Sequence, residues 1–105
     1  MHYLLIYQVS SDYLQRREEF RNQHLTLAWA AHEKGELILG GALTDPVDSA
    51  VLFFNCSSPE AIKRFVEADP YVQNGLVVEW SIREWMTVVG DDAASPVRPS
   101  IQHTT

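Results

Sequence analysis

Apolar and polar positions along the chain switch between a two-residue and a 3.6-residue period, and the switches lay out the elements. Tyr3 to Val9 is a run rich in β-formers, ended by Ser10-Ser11-Asp12, and reads as strand 1. Its nearly continuous apolar character predicts a central strand. From Asp12 to Lys34 the period is helical: Tyr13, Phe20, His24, Leu27 and Ala31 fall on one stripe, Ser11 or Asp12 can cap the start, and Gly35 ends it. Leu14, Leu25, Ala28 and Trp29 lie beside or beyond that stripe. This surplus suits either a second contact surface, such as a partner subunit, or singly exposed side chains.

Leu37 to Leu43 reads as strand 2, interrupted by Gly40-Gly41, and Ala50 to Cys56 as strand 3. Paired glycines in a strand suit a bulge or the close approach of backbone or ligand. Ser58-Pro59-Glu60 opens helix 2, which runs to about Ala68 with Ala61, Ile62, Phe65 and Val66 turned inward. Asp69-Pro70-Tyr71 then turns the chain. Asn74-Gly75 marks a second turn, and Leu76 to Val89 reads as a long strand 4 with Val78, Trp80, Ile82 and Met86 on one face. After Gly90 the pattern stops. Residues 90–105 are expected to be a tail, mobile or ordered on a neighbouring subunit.

The order β-α-β-β-α-β over residues 1–89 is that of a ferredoxin-like split unit, an α+β fold. The right-handed crossover rule puts both helices on one face of a four-stranded antiparallel sheet. The other face is too apolar to be left in water, so a homodimer that buries the two sheet faces together is expected, with higher assembly left open.

Composition narrows the function. The chain has 105 residues, enough for one modest core, and 46 % of them are hydrophobic. Fourteen acidic residues against eight basic ones give a net charge of −6, which argues against nucleic acid as a partner. The single cysteine, Cys56, cannot form an internal disulfide and reads as a small apolar residue at a strand end. No apolar run suits a membrane helix, and Met1 to Tyr7 has neither a basic segment nor a cleavage site, so a cytoplasmic protein without a signal peptide is expected.

The chemical candidate is His24, an imidazole in the middle of a core-facing stripe. Such a histidine either is bonded within the core or belongs to a site. Asp69 before Pro70 is in itself a good cap for a short turn. Arg21, one turn before His24, suits either an anionic substrate group or a glutamate partner. His2, His32 and His103 show no ligand spacing with His24, so no structural metal is expected, with a single-metal site on His24 and Asp69 left open as a minor alternative, and Gly40-Gly41 does not open a helix as a phosphate loop must.

Several stretches taken together are similar to the YciI-like (YCII-related domain) family. They are Arg21-Asn22-Gln23-His24-Leu25, Gly35 followed by Gly40-Gly41-Ala42-Leu43, the segment Asp69-Pro70-Tyr71-Val72-Gln73-Asn74-Gly75-Leu76, and the closing Trp85. Ala42 stands where the family often has proline. The resemblance implies a dimeric α+β barrel whose members place a His and an Asp at a pocket, and it maps that pair onto His24 and Asp69. Tyr7, Gly41, Tyr71 and Trp80 are then candidates for the pocket lining, each with a packing alternative. One relative removes chloride from chlorinated hydroxyquinols, and more distant ones include muconolactone isomerases and haem-binding enzymes. A carboxylate on one imidazole nitrogen fixes the tautomer and leaves the other nitrogen to move a proton, which suits isomerisation or elimination. The leading expectation is therefore a cofactor-independent enzyme of lyase, isomerase or dehydrochlorinase type. Its substrate is a small cyclic or aromatic organic acid or phenol. The alternative is a non-catalytic module that binds a small ligand or another protein.

Overall fold

The structure, a computed structural model, describes residues 1–100. The last five residues of the expected tail lie outside the described residues. The elements are β1 (His2–Val9), α1 (Tyr13–Glu33), β2 (Leu37–Ala42), β3 (Ser49–Asn55), α2 (Glu60–Ala68), α3 (Pro70–Gln73) and β4 (Val77–Glu84). One antiparallel sheet has the order β2-β3-β1-β4, the ferredoxin-like arrangement expected. The apolar β1 is central, as its composition requires.

The sheet alternates as a pleated surface must. Tyr3, Leu5 and Tyr7 of β1 and Ala50, Leu52 and Phe54 of β3 are buried on one face. There they share a single core with Tyr13 of α1, Ile62, Phe65 and Val66 of α2, and Tyr71 of α3. Phe54 meets Phe65 edge-on, with ring centroids 5.4 Å apart. The helices therefore cover that face. The opposite face carries Leu4 and Ile6 of β1 and Val51 and Phe53 of β3, all only half-buried.

Both helix ends that position the site close in the same way. Gly35, at φ +80°, follows α1; its N–H reaches the His32 carbonyl and that of Glu36 reaches Ala31. Gly75, at φ +76°, follows α3, with N–H bonds from Gly75 to Val72 and from Leu76 to Tyr71. This is the Schellman arrangement, and it requires a residue that tolerates the left-handed region.

Four expectations are corrected. β4 ends at Glu84, not Val89. A strand extends only as far as its partner, and β1 begins at His2, whose carbonyl takes the Trp85 N–H. Leu76 belongs to the turn that closes α3. The Asp-Pro-Tyr turn is a one-turn helix, α3. At the start of α1 Asp12 makes no side-chain cap, because its carboxylate accepts the Ser10 hydroxyl at 2.7 Å. Beyond β4 the chain folds back on itself: Ser95 and Val97 N–H groups bond to the Thr87 and Val88 carbonyls. Thr87 also bonds the buried His2 through its hydroxyl, 2.6 Å from His2 Nδ1.

Candidate functional site

α1 packs against β2, and between α1, β2 and β3 lies an open hollow of about 400 Å³. His24 reaches it from the middle of α1. The Asp-Pro pair that begins α3 supplies its partner. Pro70 sits at the first helical position with its ring buried, where a missing N–H costs nothing. Asp69 is the N-cap, and its Oδ1 accepts the Tyr71 N–H at 3.0 Å.

The same carboxylate does more than cap. His24 Nδ1 lies 2.8 Å from Oδ1, and the Tyr7 hydroxyl donates to Oδ2 at 2.8 Å. Asp69 is fully buried, while the His24 side chain keeps 15 % of its surface exposed. Three donors from three elements thus converge on one buried carboxylate, as a buried charge requires. A carboxylate accepts, so the shared hydrogen is on Nδ1 and the lone pair of His24 is on Nε2. The Tyr71 ring stacks on the imidazole at 3.9 Å between centroids and 10° between planes, and Tyr13 meets Tyr71 edge-on at 5.7 Å. Stacking and the carboxylate bond together fix the ring.

Of the residues singled out in the sequence, Tyr7, Arg21, His24, Gly41 and Tyr71 line the hollow, and Asp69 stands behind His24. Trp80 does not. It pairs with Tyr7 across β1 and β4, but β4 is the edge strand on the far side of β1 from β2 and β3. Trp80 instead lines a separate hollow with Val9, Val78 and Glu79. Sequence reasoning missed Tyr13, Arg17, Leu25, Trp29, His32 and Leu39, which also line the first hollow. A signal was present, since Tyr13, Arg17, Arg21 and His24 share one stripe of α1 at spacings of four, four and three. Among the described residues no group of three His, Cys, Asp or Glu side chains could hold a metal ion. Burial, with the nearby Glu36 charge, raises the thiol of half-buried Cys56. That is unlike a reactive cysteine.

Two phenols are strongly perturbed. Burial, then the Asp69 charge and the bond to it, push Tyr7 far above the ordinary tyrosine range. Burial and neighbouring Tyr13 push Tyr71 up to about 12, with Arg21 and Arg17 pulling the other way. A raised phenol favours the folded state only while the unfolded chain also keeps its proton. That contribution is intact below about pH 10 and is lost as pH rises. From Tyr7 alone the folded state is expected to lose about 1.4 kcal/mol per pH unit above 10. Denaturant melts at pH 9, 10 and 11 on the native protein and on Tyr7→Phe check this. An equal alkaline slope in both proteins would mean that Tyr7 is not held as described.

The fold and this pair define a small ferredoxin-like α+β domain with a histidine and a buried carboxylate at one hollow. The chain belongs to the YCII-related domain family, whose model matches residues 1–86. Solved structures agree in fold. The 5-chloro-2-hydroxyhydroquinone dehydrochlorinase of Burkholderia phenoliruptrix, in complex with 2,5-dihydroxybenzoquinone, superposes with a TM-score of 0.70. It is 23 % identical over 83 % of this chain and 95 % of its own. Protein Atu4242 of Agrobacterium tumefaciens gives 0.56, with 15 % identity over 90 % of this chain and 99 % of its own. A NIPSNAP family protein of the same organism gives 0.54, with 16 % identity over 92 % and 97 %. No curated protein sequence matches the chain. No helix among the described residues is long and apolar enough to cross a membrane.

Proposed function

We propose that the hollow beside α1 is the active site of a cofactor-independent enzyme of lyase, isomerase or dehydrochlorinase type. His24 is its general acid/base and Asp69 the residue that positions it. The carrying observation is the 2.8 Å contact between His24 Nδ1 and a carboxylate that is fully buried and bonded by two further donors. A histidine needed only for packing does not require a buried charge behind it. Here the carboxylate orients the ring and stabilises the cation formed when Nε2 takes a proton from a bound molecule.

The substrate is a small cyclic or aromatic organic acid or phenol. Support comes from the tyrosines and Trp29 around the hollow, and from the dihydroxybenzoquinone held by the structurally similar dehydrochlorinase. The test is a screen of hydroxylated and halogenated aromatic acids for halide release or isomerised product, run on the native protein and on His24→Ala. Conversion that disappears in His24→Ala supports the assignment. Binding without conversion across the screen would favour the non-catalytic module.

The functional unit is proposed to be a homodimer joined through the open sheet face. Leu4, Ile6, Val51 and Phe53 make that face apolar at the centre of the sheet, where Ile6 and Val51 stand directly opposite each other. Light scattering on a sizing column is expected to give twice the chain mass, and Ile6→Glu to give the monomer. A native protein that runs as a monomer at high micromolar concentration would remove this part of the proposal.

A further inference from the structure

The hollow carries positive charge that the His24–Asp69 pair does not use. Arg21 and Arg17 lie about one and two turns before His24 along α1, on the same stripe, and both line the hollow. The chain as a whole is acidic, yet no Asp or Glu is among the lining residues. Neither arginine makes an ion pair among the described residues. The Arg17 guanidinium lies over the Tyr13 ring, 5.5 Å from its centroid, and its Nε is buried with no hydrogen-bond partner. Buried donors of this kind are rarely left unpaired, and this one belongs to a charged group at the wall of an open hollow. Both guanidiniums also act on the Tyr71 hydroxyl, which places their field beside the ring stacked on His24.

The opposite half of the hollow is apolar apart from His32, whose Nδ1 is engaged at 2.7 Å with the Leu37 carbonyl. Leu25, Trp29 and Leu39 line it, with Trp29 61 % and Leu39 70 % exposed. The site is thus polarised along α1, with cations toward its start, the imidazole in the middle, and an uncovered apolar wall toward its end.

We infer that Arg17 and Arg21 form an anion subsite that takes the carboxylate of a small aromatic or cyclic acid, whose apolar body lies toward Leu25, Trp29 and Leu39. The inference rests on the hollow being the binding site proposed above, and it narrows the substrate class from acid or phenol to carboxylic acid. Guanidinium suits a planar carboxylate, which it meets through two parallel bonds. Arg21 precedes His24 by three residues, about 4.5 Å along the helix axis. A carboxylate held there puts the adjoining ring carbons beside the imidazole.

The experiment uses benzoate and its neutral isostere benzamide, titrated by calorimetry into the native protein, Arg17→Gln, Arg21→Gln and His24→Ala at low ionic strength. Benzoate is expected to bind at least about tenfold more tightly than benzamide to the native protein, with the margin shrinking as salt is added. The preference should collapse in each glutamine variant and persist in His24→Ala. The last arm separates the two readings, because a preference kept without His24 stands whether or not His24 is catalytic. Thermal melts establish that the variants fold, and Arg17→Lys, which keeps the charge, should restore part of the preference. Benzoate and benzamide bound within about twofold of each other, no benzoate binding, or a preference that survives in both folded glutamine variants would each overturn the inference.

Discussion

Replacing Asp69 by alanine is expected to destabilise the fold by about 3–5 kcal/mol, as removal of one partner from a buried charged network does. Three losses combine. The Tyr71 N–H at the start of α3 loses its cap, worth about 1 kcal/mol. The Tyr7 hydroxyl is left buried without an acceptor, at about 1–3 kcal/mol. The fully buried site is left partly empty, with the usual cavity cost. Against these stands one gain, the desolvation of the carboxylate itself, which no longer has to be offset. The gain is the smaller because three donors already satisfy that group in the native fold. For a domain of this size the net loss is a large part of total stability and a fall in Tm of about 12 °C or more. Thermal unfolding measures it, with Tyr7→Phe and the double variant as controls. Tyr7→Phe removes one donor and leaves two, so it costs less, and the Tyr7–Asp69 pair should show clear non-additivity. An Asp69→Ala protein as stable as the native one would mean that the carboxylate is not the hub that joins β1, α1 and α3.

That hub also shows why sequence reading reached some of the site and not the rest. Two readings of Asp69 competed, a cap for a local turn or a partner for a distant histidine, and the structure joins them. Oδ1 takes both the Tyr71 N–H and the His24 contact, so a local signal and a long-range one fall on the same residue. The cap was legible because it depends on neighbours in sequence. The pairing with His24 is 45 residues away and came into view through the resemblance to a family, not through spacing.

The misses have the same origin. Periodicity puts Trp80 with Val78, Ile82 and Met86 on one face of strand 4, as a candidate for the pocket lining, and face is all that periodicity reports. Which strands flank β1 decides whether a residue on that face meets α1, and periodicity says nothing about that. The overlong strand 4 arose because a strand's length is set by its partner. Arg17 sits in sequence among Arg16, Glu18 and Glu19, yet its neighbours along the helix face are Tyr13 and Arg21. The helix periods were legible throughout. The place where α1 leaves a gap was not, because the gap depends on how α1 sits against β2.

His24→Ala is expected to reduce turnover by about 10²–10⁴-fold, the contribution of a positioned acid/base. The fall should lie mainly in kcat. In the proposed reaction the imidazole takes its part when a proton moves, whereas binding in the ground state would be shared with Arg17, Arg21 and the apolar wall. Stability should change far less. The side chain is partly exposed, and Oδ1 of Asp69 keeps the Tyr71 N–H while water reaches the space the ring leaves. The loss of the Tyr71 stack and of one charge-assisted bond together come to about 1–3 kcal/mol. Asp69→Asn is the informative comparison, because asparagine keeps the shape and the cap while removing the charge that stabilises the imidazolium. Its kcat should fall by about 10²-fold or more, with a melting temperature between those of the native protein and Asp69→Ala. If the two catalytic losses ran in proportion to the two stability losses, the pair would be holding the fold alone. A His24→Ala protein that stays folded with no more than that loss of about 1–3 kcal/mol and is inactive on the same substrate separates chemistry from scaffolding, since the loss of turnover would then exceed what the weakened fold explains.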